Sequence, residues 1–499
     1  MNSQQKTNFR LWVFFSLFLL LFLRVLALFA IPPHPDEMVQ LYMTDDIAHL
    51  RNFPAYFYGQ EFMGPFESYF LAPFVRVFGS GYVTARFWNG LFYLSFLVLY
   101  VGMVKRLFER ELSVYLFFLL SVVPFPVLFF TTIVGYVEIL PLTMLSLALL
   151  LRVSQDARSG GGNAAALGFV SGLAFWCNPI FVIWMVPIGI SLVWLIPSSW
   201  KRKIPPAFAA GFVAGLFPAW VHGWHTGVPM FVHTAGTRFT PWSDLPRLGY
   251  LFFARMKYFL STSFFEKSSL LRRLIPYPAL LVLSAFLISF AALFVSFLRN
   301  FTRQSVQEKI FHLFILLPPF ALAGLYISRD LTTDEGIRYF LPLTVSYPFA
   351  IAWRVRGFRS PFWKRAALIS LGGIFLGASL ASLTAQNRQR QNFVQIYRFL
   401  EQNKLRYGVG DLNAAYAMNA FSRNQIQVTP ALYEMRCRPL WNTVQEKGAQ
   451  FFIFEQVDHR FRKKLESDPR LKKISLGGRD IYYGSSGILQ EIVETKEPL

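Results

Sequence analysis

Apolar runs of about twenty residues recur along the whole chain, and each is long enough to cross the hydrocarbon core of a lipid bilayer. The first of them occupies residues 11–30. Only 15% of the 499 residues are charged, whereas a soluble protein carries about a quarter. The sequence therefore predicts a polytopic α-helical membrane protein, with a bundle of about eleven transmembrane helices.

Short clusters of lysine and arginine separate the apolar runs. Lys6 and Arg10 precede the first run, and the densest cluster, WRVRGFRSPFWKR, occupies residues 353–365. Every dense cluster falls on the same side of the bundle as the N-terminus, which is predicted to be cytoplasmic because basic loops stay in the cytoplasm. The predicted external loops are residues 31–81, 222–275 and 328–338. About eleven spans also place the C-terminal segment outside.

The net charge of +21 raises the question of nucleic-acid binding. Because the basic residues form short clusters between apolar runs, the expected partner is the lipid bilayer and not a nucleic acid. Of the two cysteines, Cys177 lies in an apolar run and Cys437 in the polar tail. No disulfide framework is predicted from them.

Three segments of the external loops have one apolar and one polar face. Such segments form helices that lie in the membrane interface. The third of them carries Arg247, Arg255 and Lys257 on its polar side. The segments are VQLYMTDDIAHL (39–50), PFESYFLAPFVRVF (65–78) and PRLGYLFFARMKYFL (246–260).

The composition changes at about residue 386, where polar helical patterns begin to alternate with short apolar strands. The predicted strands are RYGVG, IQVTP, QFFIFE and DIYYG. Residues 386–499 are therefore predicted to form a small external α/β domain, which follows a membrane domain of residues 1–385. No glycine-rich fingerprint opens a helix after a strand, so nucleotide binding is unsupported.

Polar and ionisable side chains gather in the predicted external loops. Their one-sided distribution predicts a wet, polar cavity at that face of the bundle. The pair His222 and His225 is interpreted as an interfacial turn, and no metal-ligand set is predicted. The gathered residues are His34, Asp36, Glu37, Glu61, Glu67, Tyr136, Glu138, His222, His225, Asp334, Glu335, Arg338 and Tyr339. Those predicted to contact substrate are His34, Glu67, Tyr136, Glu138, Arg338 and Tyr339.

Four of these candidate site residues also have a structural explanation that involves no function. Asp36 and Glu37 follow Pro33 and Pro35, and carboxylates at this position can cap the next helix through its dipole. Glu138 enters an apolar run and can be satisfied by a neighbouring tyrosine or arginine. Arg338 can snorkel to water from a span end, although arginine is also well suited to hold a phosphate.

Several short motifs resemble those of the GT-C superfamily of membrane glycosyltransferases. The nearest relatives by resemblance are the protein O-mannosyltransferases and the lipid A aminoarabinose transferases. The layout is also similar, with an acidic pair after the first span, an amphipathic first loop, many spans and a soluble tail. The motifs are HPDE (34–37), GYVE (135–138), LGFVSGLAFWCNP (167–179), RYFLP (338–342) and DLNAAYAMNAF (411–421).

The resemblance implies transfer of a sugar from a polyprenyl-phosphate donor by an inverting single displacement. By position, Asp36 matches the catalytic carboxylate, Glu37 its companion, and Arg338 the basic residue near the lipid phosphate. Few other basic residues are seen at that external rim, which leaves the phosphate site incomplete. The acceptor is a glycan, a lipid or a protein, the location a bacterial inner membrane, and a divalent metal is left open.

Two other classes of function compete with a transferase. A transporter or lipid flippase is expected to show inverted repeats and polar groups near the bilayer midplane. The sequence shows no repeat and its polar groups lie at one face, which favours the enzyme. A scaffold whose external tail binds partners is the third alternative.

Overall fold

The part of the chain that carries a structural description has several gaps. Glu61 and Cys437, both discussed above, lie outside it, as do the side chains of Asp334 and Glu335. The computed structural model describes residues 3–60, 62–133, 135–155, 160–196, 203–227, 244–261, 276–329, 334–430, 438–455 and 465–484.

Helices form most of the described chain, and proline or glycine recurs in the turns between them. A 3₁₀ turn (Asp334–Phe340) also precedes the fifteenth helix. In chain order the helices are α1 (Ser3–Ala30), α2 (Pro35–Ala48), α3 (Phe66–Phe78), α4 (Tyr82–Leu107), α5 (Arg110–Ser121), α6 (Phe125–Phe130), α7 (Ile139–Val153), α8 (Gly160–Cys177), α9 (Val182–Ile190), α10 (Ile204–Gly215), α11 (Phe217–Thr226), α12 (Leu245–Ser261), α13 (Pro276–Asn300), α14 (Val306–Arg329), α15 (Leu343–Arg356), α16 (Pro361–Gln402), α17 (Leu412–Phe421) and α18 (Arg438–Lys447).

Within the described ranges, five helical stretches are long and apolar enough to cross a membrane. A sixth follows if α10 and α11, which are bent by 54°, are counted as one broken span. These helices identify the chain as an integral membrane protein. The predicted count of about eleven spans is not confirmed, and the inner-membrane location and the orientation stay predictions. The five stretches are Arg10–Ala30, Tyr82–Leu107, Leu280–Asn300, Val306–Tyr326 and Pro361–Gln402.

Proline accounts for breaks in the predicted spans. The apolar stretch of residues 112–130 is divided into α5 and α6, with Pro124 at the start of α6 and Pro126 in its first turn. Pro218 occupies the first turn of α11, just after the bend from α10. A proline lacks the amide hydrogen that would continue the preceding helix, so the chain bends where it occurs.

Helices α8 and α10 cross at closely facing glycines. A Cβ atom at Gly168 would overlap the carbonyl oxygen of Phe208, and one at Gly211 would overlap that of Ala165. Small residues four positions apart let helix backbones approach closely within a membrane. The stretch LGFVSGLAFWCNP thus contributes to the packing between helices of the bundle. Asn178 at its end caps the following turn, because its side chain accepts a hydrogen bond from the amide of Ile180 at 3.1 Å.

The C-terminal region forms a five-stranded sheet in the order β2-β1-β3-β5-β4. Strand β1 is parallel to β2 and β3, whereas β5 is antiparallel to β3 and β4. The four predicted strands are confirmed, but β4, with the sequence LKKISL, was not predicted. Its exposed lysines suit an edge strand, since charge there blocks further pairing. The strands are β1 (Tyr407–Gly410), β2 (Gln427–Pro430), β3 (Phe451–Phe454), β4 (Leu471–Leu476) and β5 (Arg479–Gly484).

The chain divides into two compact units that do not follow sequence order. Unit 1 comprises Met1–Ala27, Phe62–Gly64 and Asn89–Ser382. Unit 2 comprises Leu28–Glu61, Pro65–Trp88 and Leu383–Leu499. The segment with the HPDE motif therefore belongs to the same unit as the C-terminal sheet. That residues 386–499 are external remains a prediction.

Candidate active site

In unit 2, the HPDE motif forms the N-terminus of α2. His34 is the cap residue, and its Nδ1 accepts from the amide of Asp36 at 3.3 Å. The carboxylate of Glu37 accepts from the amide of His34 at 3.2 Å, which completes a capping box. Pro35 fits the first turn because the amide hydrogen it lacks would have no helical partner there. His34 and Glu37 therefore do cap helix α2, which is the structural explanation that the sequence analysis gave for the acidic pair.

Glu37 is also paired with Arg86, a residue of α4 that the sequence reasoning did not select. Arg86 Nε lies 2.7 Å from Oε1 of Glu37 and Nη2 lies 2.8 Å from Oε2, and neither side chain is exposed. A planar guanidinium matches a carboxylate in this two-point geometry. The negative charge of Glu37 is therefore neutralised inside the protein.

The remaining hydrogens of Arg86 hold the turn between α1 and α2. Its Nη1 donates to the carbonyls of Leu28 at 2.9 Å and Ile31 at 2.7 Å, and Nη2 donates to that of Pro32 at 2.9 Å. With the two bonds to Glu37, these contacts account for the five donors of a guanidinium. Arg86 therefore fixes both the chain before the HPDE motif and the carboxylate inside it.

Glu67, at the start of α3, lies against α2. Gln40 Nε2 donates to its carboxylate at 2.9 Å, and both residues are buried. Asp36 differs from Glu37 and Glu67 because its side chain keeps 15% of its surface exposed. Its Oδ2 lies 3.7 Å from Nδ1 of His34. Of the carboxylates of Asp36, Glu37 and Glu67, that of Asp36 has the most exposed surface.

Helix α2 also packs against the C-terminal region within unit 2. Tyr42 donates its hydroxyl hydrogen to Oδ1 of Asn424 at 3.0 Å. The ring of Tyr82 lies under the guanidinium of Arg86 at 4.7 Å and contacts the ring of Phe421 edge-on at 6.3 Å. The buried ion pair is thereby connected to α17 through two aromatic side chains.

In unit 1, Arg338 lies in the 3₁₀ turn between α14 and α15, near two tyrosine rings. Its guanidinium carbon is 5.7 Å from the ring centroid of Tyr136 and 5.4 Å from that of Tyr339. Tyr136 and Glu138 are buried in the segment that leads into α7. Unit 1 thus brings Arg338, Tyr136 and Tyr339 together, and their contact with substrate stays a prediction.

A second arginine that the sequence reasoning missed lies inside the bundle of unit 1. Arg24 of α1 donates to the carbonyl of Thr131 at 3.0 Å and lies 4.0 Å from the ring centroid of Tyr93. Asn89 donates to the neighbouring carbonyl of Thr132 at 3.0 Å. An ionisable residue within an apolar run was the available signal for both Arg24 and Arg86.

Among the described residues, no group of three or more His, Cys, Asp or Glu side chains could hold a metal ion. His222 and His225 lie on α11, and Cys177 is buried at the end of α8.

No protein-family model and no curated protein matches the sequence. Solved structures do match its fold. ArnT from Cupriavidus metallidurans bound to undecaprenyl phosphate is 12% identical, with a TM-score of 0.63 over 96% of this chain and 98% of that one. The apo state of the same protein is 14% identical, with a TM-score of 0.51 over the same shares, 96% and 98%.

A third solved structure is the oligosaccharyltransferase of Archaeoglobus fulgidus in complex with Zn and sulfate. It is 11% identical, with a TM-score of 0.50 over 87% of this chain and 67% of that one. These proteins are glycosyltransferases of the superfamily that the sequence motifs resemble. The chain therefore shares its fold with these membrane glycosyltransferase structures.

Proposed function

We propose that the protein transfers a sugar from a polyprenyl-phosphate donor to an acceptor at the external face of the bacterial inner membrane. The observation that carries the proposal is the contrast between neighbouring carboxylates at the start of α2. Glu37 is buried against Arg86, whereas Asp36 retains an accessible surface. The shared fold supports the general class of reaction, and the ArnT structure holds undecaprenyl phosphate.

Asp36 acts as the general base in this proposal. An acceptor hydroxyl is a weak nucleophile, and a carboxylate within hydrogen-bond reach takes its proton as the new bond forms. The acceptor oxygen attacks the anomeric carbon while the bond from that carbon to the phosphate oxygen breaks. Polyprenyl phosphate leaves with the bonding electrons, and the single displacement inverts the anomeric centre.

Glu37 and Arg86 position the base and do not exchange protons with substrate. The carboxylate of Glu37 is occupied by Arg86 and by the amide of His34. Releasing it would leave a buried, uncompensated charge, which is costly. The companion role that the resemblance gives to Glu37 is therefore structural in this proposal.

Arg338 stabilises the departing phosphate. Negative charge grows on that group in the transition state, and a fixed arginine directed at it lowers the barrier. Tyr136 and Tyr339 hold the guanidinium through their ring faces. The acceptor is a glycan, a lipid or a protein, and the transferred group a hexose or pentose.

The test is incubation of the purified protein with labelled sugars on polyprenyl phosphate, and with the same sugars on polyprenyl diphosphate as the matched set. We expect release of free polyprenyl phosphate from one or more monophosphate donors. A parallel series with EDTA separates metal-dependent from metal-independent transfer. Movement of intact donor across vesicles without release, or no release from any donor, would contradict the proposal and favour a flippase or a scaffold.

A further inference from the structure

Helix α12 of unit 1 has two different faces. Its buried side chains, Leu248, Phe252, Met256 and Phe259, recur every three or four positions, which is the spacing of one helix face. Arg247 is exposed on the other side, and Lys257 is partly exposed. The exposed aromatic side chains are Tyr250 at 74%, Phe253 at 50% and Tyr258 at 40%.

The buried face joins α12 to the turn that carries Arg338. The ring of Phe340 lies 5.2 Å from that of Phe252 and 6.1 Å from that of Phe259. Tyr326 of α14 completes the cluster, at 5.6 Å from Phe252 and 5.5 Å from Phe340. Aromatic contacts at these separations fix α12 against α14 and against Phe340.

The exposed face combines positive charge with amphipathic rings. Helix α12 contains no Asp or Glu, and Asp244 directly precedes it in the sequence. The ammonium of Lys257 lies 5.0 Å from the ring centroid of Tyr258. Tyrosine prefers the headgroup level of a bilayer, and basic residues beside it attract anionic headgroups. In an integral membrane protein, this is the chemistry of a helix that lies on an anionic lipid surface.

We infer that the exposed face of α12 binds anionic phospholipid, and that this binding holds the turn with Arg338 in place. Phosphates of two neighbouring lipids pair with Arg247 and Lys257, which are about 15 Å apart along the helix, while Tyr250 and Phe253 enter the interface. Each basic residue near an anionic membrane contributes about fivefold to affinity, so the two together contribute about thirtyfold. Because Phe340 packs on α12, ordering of the helix extends to residues 334–340.

The test uses the full-length protein in detergent, titrated with phosphatidylglycerol or phosphatidylcholine and followed by native mass spectrometry. We expect the wild type to bind phosphatidylglycerol more tightly. The double variant Arg247→Gln, Lys257→Gln should lose about thirtyfold of that affinity and leave phosphatidylcholine binding unchanged. The matched control is Arg398→Gln, Lys472→Gln, which removes two exposed charges from the C-terminal region and should bind as the wild type does.

Hydrogen exchange in nanodiscs provides a second readout. Amides of residues 245–261 and 334–340 should exchange more slowly in discs that contain phosphatidylglycerol than in pure phosphatidylcholine. The Arg247→Gln, Lys257→Gln variant should show no such difference. Equal binding of both lipids by the wild type would overturn the inference. A double variant that keeps the preference for phosphatidylglycerol would also overturn it. A double variant whose only change is a lower unfolding temperature would do the same, because this face of α12 would then be covered by protein and not by lipid.

Discussion

Arg86 and Glu37 form a two-point ion pair that is completely buried, with nitrogen-to-oxygen distances of 2.7 and 2.8 Å. The same arginine binds three carbonyls in the turn between α1 and α2. Removing one member of such a pair leaves a charge in a site without water. The pair therefore fixes the position of Asp36, which is adjacent to Glu37 in the chain.

The first prediction concerns stability. Arg86→Ala should lower the free energy of unfolding by about 3–5 kcal/mol, because Glu37 is left buried without its partner. Thermal unfolding of the detergent-solubilised protein measures the change. The control is Arg51→Ala, whose pairs with Asp45 and Asp46 are solvent-exposed and contribute about 1 kcal/mol or less. Equal unfolding temperatures for the two variants would show that the buried pair does not hold this turn.

The second prediction separates the two acidic residues of the HPDE motif. Glu37→Gln should destabilise the protein strongly, since the amide cannot accept both hydrogen bonds from Arg86. Asp36→Asn should change the free energy of unfolding by about 1 kcal/mol or less, because its side chain is partly exposed. The same thermal measurement compares them. A more severe loss in Asp36→Asn would reverse the assigned roles.

The third prediction concerns the crossing of α8 and α10. Gly168→Ala and Gly211→Ala should each destabilise by about 1–3 kcal/mol or more, because the added methyl group overlaps a backbone oxygen of the other helix. Gly162→Ala is the control in α8, where a Cβ atom meets nothing within 4 Å. There the better helix propensity of alanine should be neutral or stabilising by up to about 1 kcal/mol. Tolerance of alanine at all three positions would exclude this close packing.

The fourth prediction concerns Arg338. If it holds the lipid phosphate, Arg338→Ala should weaken donor binding by about ten- to a hundredfold, and Arg338→Lys should weaken it less. Binding of polyprenyl phosphate is the direct measurement. Arg354→Ala, in the basic cluster at residues 353–365, provides the control and should bind normally. If Arg338→Lys behaves as the wild type does, the side chain only reaches towards water.

The sequence predicted those features that depend on local pattern. Four strands of the C-terminal sheet coincide with the short segments predicted from the sequence, and the amphipathic segments did form α2, α3 and α12. The location of these helices in the membrane interface remains a prediction. Strand β4 was not predicted, because its pairing with β5, and not its own composition, makes it a strand.

The partners of the site residues could not be predicted in the same way. Arg86 is separated from Glu37 by 49 positions, and no local pattern indicates which carbonyls it contacts. In the sequence, Arg86 looks like a charged residue at the end of a membrane span, with no sign of a buried partner. Arg24 was missed for the same reason. Arg86 contacts the HPDE motif directly, and no local sequence pattern indicated this contact.

The most direct test of the central claim is single-turnover transfer by Asp36→Asn, measured as release of polyprenyl phosphate from the donor that the wild type accepts. Asp45→Asn, on the exposed part of the same helix, is the matched control. The account predicts a rate about a hundred to ten thousand times lower for Asp36→Asn, with donor binding intact and Asp45→Asn unaffected. A stable Asp36→Asn protein that transfers at the rate of the wild type would contradict the account.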